Sequence, residues 1–263
     1  MLINLKKHIF LCAGLGLLSA CVSKEGYVPA TDRADTFEPY NRAMFMFNLK
    51  ADKYVIKPLA KGYRAITTPE IRDKVMNVFA NIHEPLYTVN NGLQGDIKQS
   101  GIEVARFAVN TTLGLGGLFD VAGGWGLKKK ATGFDQTFAV WCMADGPYIV
   151  LPLLGPATVR STLAYGADAA VNPIYYATYK DANVSDKFAW GFTIAEGIAV
   201  REKAMDLTDD LERNAIDAYA SMRTMFLQNH EKINRMCAKA AENETSFEFD
   251  FDDDEEDDFS EDY

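Results

Sequence analysis

Apolar residues recur along this chain with a helical period, and Gly, Pro and Asn mark the breaks between the runs. Asp35 or Thr36 can cap a first helix with Glu38-Pro39 in its opening turn, where a missing N–H costs nothing. Tyr54 to Ile66 and Glu70 to Ile82 predict two shorter helices, stopped by Thr67-Thr68-Pro69 and by Glu84-Pro85, and Asn90-Asn91-Gly92 predicts a turn. Asp96, with Gln99 three residues on, opens the next helix in a capping-box pattern, and Gly114 closes it. Further on, Thr158 to Val171, Ile174 to Tyr179, Asp186 to Leu207 with Ser185 as its cap, and about Asp209 to Met236 predict the remaining helices. The pattern is that of an all-α protein.

Two of these helices are apolar almost all round and carry one thin polar stripe. Asn41, Asn48 and Asp52 follow i, i+7, i+11 on the first, among Phe37, Tyr40, Met44, Met46, Phe47 and Leu49. Gln99, Glu103, Arg106 and Asn110 follow i, i+4, i+7, i+11 on the helix after Asp96. Such helices suit a membrane interior with a wet centre. Turned toward each other, the stripes would line a hydrated, charged passage. The competing expectation is a Glu103/Arg106 pair and buried asparagines that only specify packing.

Two apolar arms, Phe138 to Met143 and Tyr148 to Leu154, flank Ala144-Asp145-Gly146-Pro147. A membrane-crossing helix needs ~20 apolar residues, so neither arm spans a bilayer. The expectation is a broken apolar helical hairpin, which in hydrocarbon has to pack in protein or line a wet cavity. Gly frees the backbone at this junction and Pro restrains it, so Asp145, Gly146 and Pro147 are the candidate hinge of a gate. Gly114 to Gly126 is Gly-rich, but it follows a predicted helix and lacks G-x-G-x-x-G, which argues against a dinucleotide loop. Lys128-Lys129-Lys130 could meet lipid headgroups or stand in solvent.

The N-terminus is a secretory signal: Lys6 and Lys7, an apolar run from Ile9 to Leu18, then Leu18-Ser19-Ala20-Cys21. That tetrapeptide resembles a lipobox in which Cys21 is acylated and becomes the first mature residue. Cys12 leaves with the signal, so Cys142 and Cys237 remain. An exported pair could oxidise, but nothing local brings two such distant Cα atoms within ~7 Å, and free thiols are the expectation.

The net charge of −10 belongs to one end of the chain: residues 247–263 hold 11 acids and no base, leaving 26 acids against 27 bases elsewhere. Dense like charge makes that end a disordered tail. The near-neutral body lacks the basic field that DNA or RNA binding requires, so no nucleic-acid partner is expected. There is no G-x-S-x-G elbow, no H-E-x-x-H and no paired Cys/His spacing, and His83-Glu84-Pro85 reads as a packing or capping turn. No enzyme and no cofactor are indicated. A lipid hydrolase would reveal itself by lysophospholipid formation.

Glu38-Pro39-Tyr40-Asn41-Arg42, Phe45, Phe47-Asn48 and Asp52 upstream join a second set of matches: Arg106-Phe107, Val109-Asn110-Thr111, Gly114, Gly117, Asp120-Val121-Ala122, Gln136-Thr137, Gly146-Pro147-Tyr148, Leu151-Pro152 and Gly155. Together with Ala195-Glu196-Gly197-Ile198 and Arg201, they resemble the VacJ/MlaA family of outer-membrane phospholipid-trafficking lipoproteins over roughly Asp35 to Arg235. The chain departs from the family's pattern at Gly133-Phe134-Asp135 and at Cys142. The resemblance implies a disc-like helical domain with an amphipathic central channel, lipid-anchored on the periplasmic face of the outer membrane. It also implies three partners: a trimeric porin, the phospholipids themselves, and a periplasmic carrier feeding an inner-membrane ABC transporter. A structural lipoprotein that only braces porins would predict no lipid passage. The expected division is a signal peptide over 1–20, an acylated tether over 21–35, the helical domain over 36–238 and the acidic tail over 239–263.

Overall fold

A computed structural model describes residues 35–174 and 182–237. The signal peptide, Cys21, nearly all of the tether, the acidic tail and most of the helix expected from Ile174 to Tyr179 lie outside the described residues.

Helix α1 (Glu38–Ala51) starts after Phe37 with no side-chain cap. Asp35, one of the two expected caps, instead accepts from Asn41 Nδ2 at 2.9 Å and from the Tyr219 hydroxyl. A wider turn over Asp52–Ile56 leads into α2 (Lys57–Ile66). Helix α3 (Pro69–Leu93) is capped by Thr68, and α4 (Ile97–Thr112) by Asp96, whose carboxylate accepts the Gln99 N–H at 3.0 Å as the sequence predicts. Helix α5 (Val121–Gly124) and helix α6 (Phe134–Val140) are short.

Helix α3 corrects two expectations, for it runs through both Glu84-Pro85 and Asn90-Asn91-Gly92. The two asparagines bond within the helix and beyond it, which leaves no turn to form. Asn90 and Asn91 donate to the Leu86 and Tyr87 carbonyls one turn back, while Asn90 Oδ1 accepts from Thr137 and Asn91 Nδ2 also reaches Lys130 O. The short connection after Leu93 lets α4 fold back along α3, the most extensive helix pairing in the structure.

The second apolar arm is not helical, so the expected helical hairpin is replaced by a β-hairpin. Strand β1 (Tyr148–Leu151) pairs antiparallel with β2 (Gly155–Thr158), Tyr148 opposite Thr158 and Leu151 opposite Gly155. Thr158 then caps α7 (Val159–Val171). Helix α8 (Ala182–Lys203) already includes residues ahead of Ser185, its expected cap. The single long helix expected at the end is two, α9 (Met205–Asn214) and α10 (Ala218–Asn234), with Asp217 capping the second through the Ala220 N–H. A core of Phe45, Tyr148, Val150, Tyr219 and Leu227 joins α1, β1 and α10. The all-α class stands, with one small two-stranded sheet built into it.

Candidate functional site

Beside its apolar core the protein buries many polar groups and exposes large apolar ones. Asn41, Glu84, Asn90, Asn91, Glu103 and Thr137 are fully buried, whereas Trp125, Leu153, Leu154 and Trp190 are 62–69% exposed. Lys, Glu, Arg and Asp are almost never buried unless paired, and large exposed apolar patches mark an interaction with another protein or a membrane. No helix among the described residues is long and apolar enough to cross a membrane.

The α1 stripe meets the β-hairpin. Asn41 Nδ2 donates to Tyr148 O at 3.2 Å and its Oδ1 accepts the Val150 N–H at 2.9 Å. Asn48 repeats the arrangement on Leu151 O at 2.8 Å and the Leu153 N–H at 2.7 Å. The spacing explains the match. Seven helical residues rise about 10 Å, and three strand residues advance about the same distance. Two asparagines thus do for the open edge of β1 what a neighbouring strand would do. Asp52 turns elsewhere and binds Arg201 of α8 at 2.7 and 2.8 Å.

The α4 stripe faces α3 and the segment after α5. Arg106 Nε lies 3.0 Å from Glu84 Oε1 and 3.7 Å from Glu103 Oε2, while its other nitrogens donate to Leu127 O and to Asp120 Oδ1 at 3.1 Å. Glu103 accepts from Gln99 Nε2 at 2.6 Å and from the Lys130 N–H at 2.7 Å. Asn110 bridges Asp120 Oδ1 and the Ala122 N–H. Burial raises the Glu84 carboxyl to about 8, with the neighbouring Glu103 carboxyl adding to it and Arg106 opposing. Burial also works against Asp120, but the Gly123 N–H, the Asn110 amide and Arg106 hold its carboxyl below the ordinary range. Gly117, at φ +93°, lets the loop before α5 lie against α3: a Cβ there would stand 2.5 Å from Asn81 Cβ. The structure therefore brings Gln99, Glu103, Arg106 and Asn110 together in one network, and joins Asn41 and Asn48 to another, without joining the two stripes to each other.

At the junction between the arms, Asp145 is buried and bound to α10. His230 Nε2 lies 2.8 Å from Asp145 Oδ1, and Asn234 donates to Oδ2 at 3.0 Å. Arg160 completes the cluster, 2.9 Å from Asp135 and 3.5 Å from Asp145. Burial raises the Asp145 carboxyl, yet the hydrogen bond from His230, then its charge, and Asn234 keep it below the ordinary value. Gly146 follows at φ +77°, and a Cβ there would meet Val159 Cβ at 2.9 Å. Cys142 and Cys237, expected as free thiols, are joined by a disulfide with their Cα atoms 5.0 Å apart. They are 95 residues apart in sequence, and it is the docking of α10 on Asp145 that brings them together.

Behind this cluster lies a cavity of about 600 Å³, between α3, the 131–136 segment, α7, α8 and α10. Leu86, Phe226 and Tyr165 give it apolar wall, and Gln136, Asp168 and Glu196 give it polar wall. Its volume falls within the roughly 300–1,000 Å³ of ordinary ligand sites. None of the seven stripe residues lines it. His83, expected at a turn, sits inside α3, lines this cavity and lies 2.7 Å from Glu196 Oε1. Sequence reasoning missed most of this lining, because it is assembled from five segments far apart in the chain. The available signals were Gln136-Thr137 and the lone acid in Ala195-Glu196-Gly197.

Comparison with known proteins agrees with this architecture. The MlaA lipoprotein family matches residues 33–233. The Escherichia coli protein named "Intermembrane phospholipid transport system lipoprotein MlaA" is 33% identical over 230 residues, covering 85% of this chain and 86% of its own length. An uncharacterised protein of Rickettsia typhi is 36% identical over 198 residues, 75% of this chain and 76% of its own. A solved structure described as "Structural basis for maintenance of bacterial outer membrane lipid asymmetry" superposes with a TM-score of 0.66 at 33% identity, covering 77% of this chain and all of that one. On a match of this extent, the chain belongs to the MlaA lipoprotein family.

Proposed function

We propose that this chain is a lipoprotein held by an acylated Cys21 in the inner leaflet of the outer membrane. There it takes mislocalised phospholipid from the outer leaflet through an amphipathic passage and gives it to a periplasmic carrier that feeds an inner-membrane ABC transporter. A trimeric porin holds it in place. The observation that carries this reading is the combination of large apolar side chains exposed at the surface, charged and amide groups buried within, and a cavity with both apolar and polar wall. A headgroup needs a polar path while its tails stay beside apolar surface, and that arrangement offers both. The names of the relatives support the same transport role.

In this reading the cavity is part of the passage, and the two stripes brace the elements around it without lining it. Asn41 and Asn48 hold the β-hairpin against α1, while Gln99, Glu103, Arg106 and Asn110 lock α4 to α3 and to the 120–130 loop. Asp145, Gly146 and Pro147 set how the hairpin closes on α10. The test is outer-leaflet phospholipid measured in a deletion strain and in the same strain complemented with this chain. Accumulation that complementation reverses supports the proposal; equal lipid content in the two strains rules it out. Cys21→Ala in the complementing copy should release the protein from the outer membrane.

A further inference from the structure

The charge pattern of the cavity is not used by the reading above. Its lining holds three carboxylates, Asp135, Asp168 and Glu196, with two imidazoles, and neither Lys nor Arg among the described residues. The carboxylates differ in what they meet. Asp135 is matched by Arg160 at 2.9 Å from beneath the lining. Glu196 meets His83 through one oxygen. Asp168 accepts the Phe134 N–H at 2.9 Å, and among the described residues no basic side chain is bonded to it.

The phenols around the cavity register the resulting field. Burial first, then the Asp135 and Asp168 charges, raise Tyr165, and Tyr87 is pushed up to about 12 by burial and by carboxylates that include Glu196 and Asp168. Burial raises Asp168 itself, with Asp135 adding to it and the Phe134 N–H and His83 opposing. With three carboxylates and neither Lys nor Arg in its described lining, the cavity is unfavourable to a second anion.

We infer that the cavity selects phospholipids whose headgroup ends in a primary ammonium, received by Asp168 and Glu196, over phospholipids of net negative charge. An ammonium carries three N–H donors, and a carboxylate is an acceptor only. A phosphatidylglycerol headgroup brings hydroxyls and a net negative charge into the same field. Gln136, whose Oε1 accepts the Gly133 N–H at 3.0 Å, keeps its NH₂ group as a neutral donor for the phosphate. The inference rests on the cavity being part of the lipid passage, and the experiment separates the two.

The full-length protein is incorporated into vesicles of equal phosphatidylethanolamine and phosphatidylglycerol content, both with photoactivatable acyl chains, and the lipid crosslinked to cavity residues is identified by mass spectrometry. The wild type should capture phosphatidylethanolamine in preference by roughly tenfold or more, the worth of charge-assisted hydrogen bonds. Asp168→Asn together with Glu196→Gln should bring the ratio close to one, and Asp168→Lys should invert it. Asp168→Asn keeps an acceptor for the Phe134 N–H, and thermal melting confirms that the variants are folded. Equal capture of both lipids by the wild type overturns the inference and leaves the passage standing. A preference that the double variant retains overturns the assignment to these carboxylates. Capture of neither lipid removes the passage and the inference together.

Discussion

Arg106→Leu tests the interior most directly, because the sequence and the structure foresee different outcomes. As a stripe residue lining a passage, Arg106 would be dispensable for the fold, and its loss would impair lipid clearance at normal abundance. In the structure it is 3% exposed and supports Glu84, Glu103, Asp120 and the Leu127 carbonyl at once. Removing one partner of a buried ionic network leaves the others uncompensated, at about 3–5 kcal/mol. Leu cannot replace any of the lost donors, and Glu84 Oε2 and Glu103 Oε2 already have no hydrogen-bond partner. For a domain of this size each kcal/mol is worth ~2–4 °C, so the melting temperature should fall by about 6–20 °C. The assay is circular dichroism melting of the detergent-solubilised protein at pH 7, beside its steady-state abundance in the envelope. A variant that melts within ~2 °C of wild type and still fails to clear lipid would refute this reasoning and restore Arg106 to the lining.

Glu84→Gln should remove a pH dependence. The native carboxyl titrates at about 8 against an ordinary 4.5, so its proton-linked stability is full below 4.5 and is lost as the pH rises through about 8. Wild-type melting temperature should decline from pH 5 to 9 more steeply than that of the variant, and parallel slopes would dismiss Glu84 as the titrating group. Cys142→Ser with Cys237→Ser opens a loop of 95 residues, worth up to ~4–5 kcal/mol in the chain-entropy account, and dithiothreitol should lower wild-type melting similarly. No change on reduction would show that α10 is held without the bridge. Gly146→Leu forces a side chain onto φ +77° and into Val159, so a loss of about 1–3 kcal/mol is expected. Wild-type melting of that variant would mean the junction relaxes freely.

What could be read in the sequence was whatever a short window decides. Asp96 caps α4 because its partner is three residues away, and the α4 stripe is buried because its period is written in the helix itself. What could not be read depends on distant partners. Tyr148 to Leu154 is an apolar run without a decisive period, and it becomes a strand and turn because Asn41 and Asn48, more than 100 residues earlier, bond to its edge. Asn90 and Asn91 look like a turn until Thr137 and Lys130 are placed beside them. Asn41, Glu103, Arg106 and Asn110 of the polar stripes are buried while Asn48, Asp52 and Gln99 are half-buried, and what each meets was not legible, since a helical wheel gives the direction of a face and not its partner.

The exposed apolar surface has a consequence for the time before the protein reaches its destination. On the proposed outer-membrane location the chain must first cross an aqueous compartment, and a folded chain showing Trp125, Leu153, Leu154 and Trp190 to water would adhere to its own copies. The side chains suited to lipid at the end of the route therefore require an escort along it. If Cys21 is acylated as proposed, an escort that shielded only its acyl chains would leave this surface bare, so under that proposal the escort has to cover a broad tract of the folded domain as well.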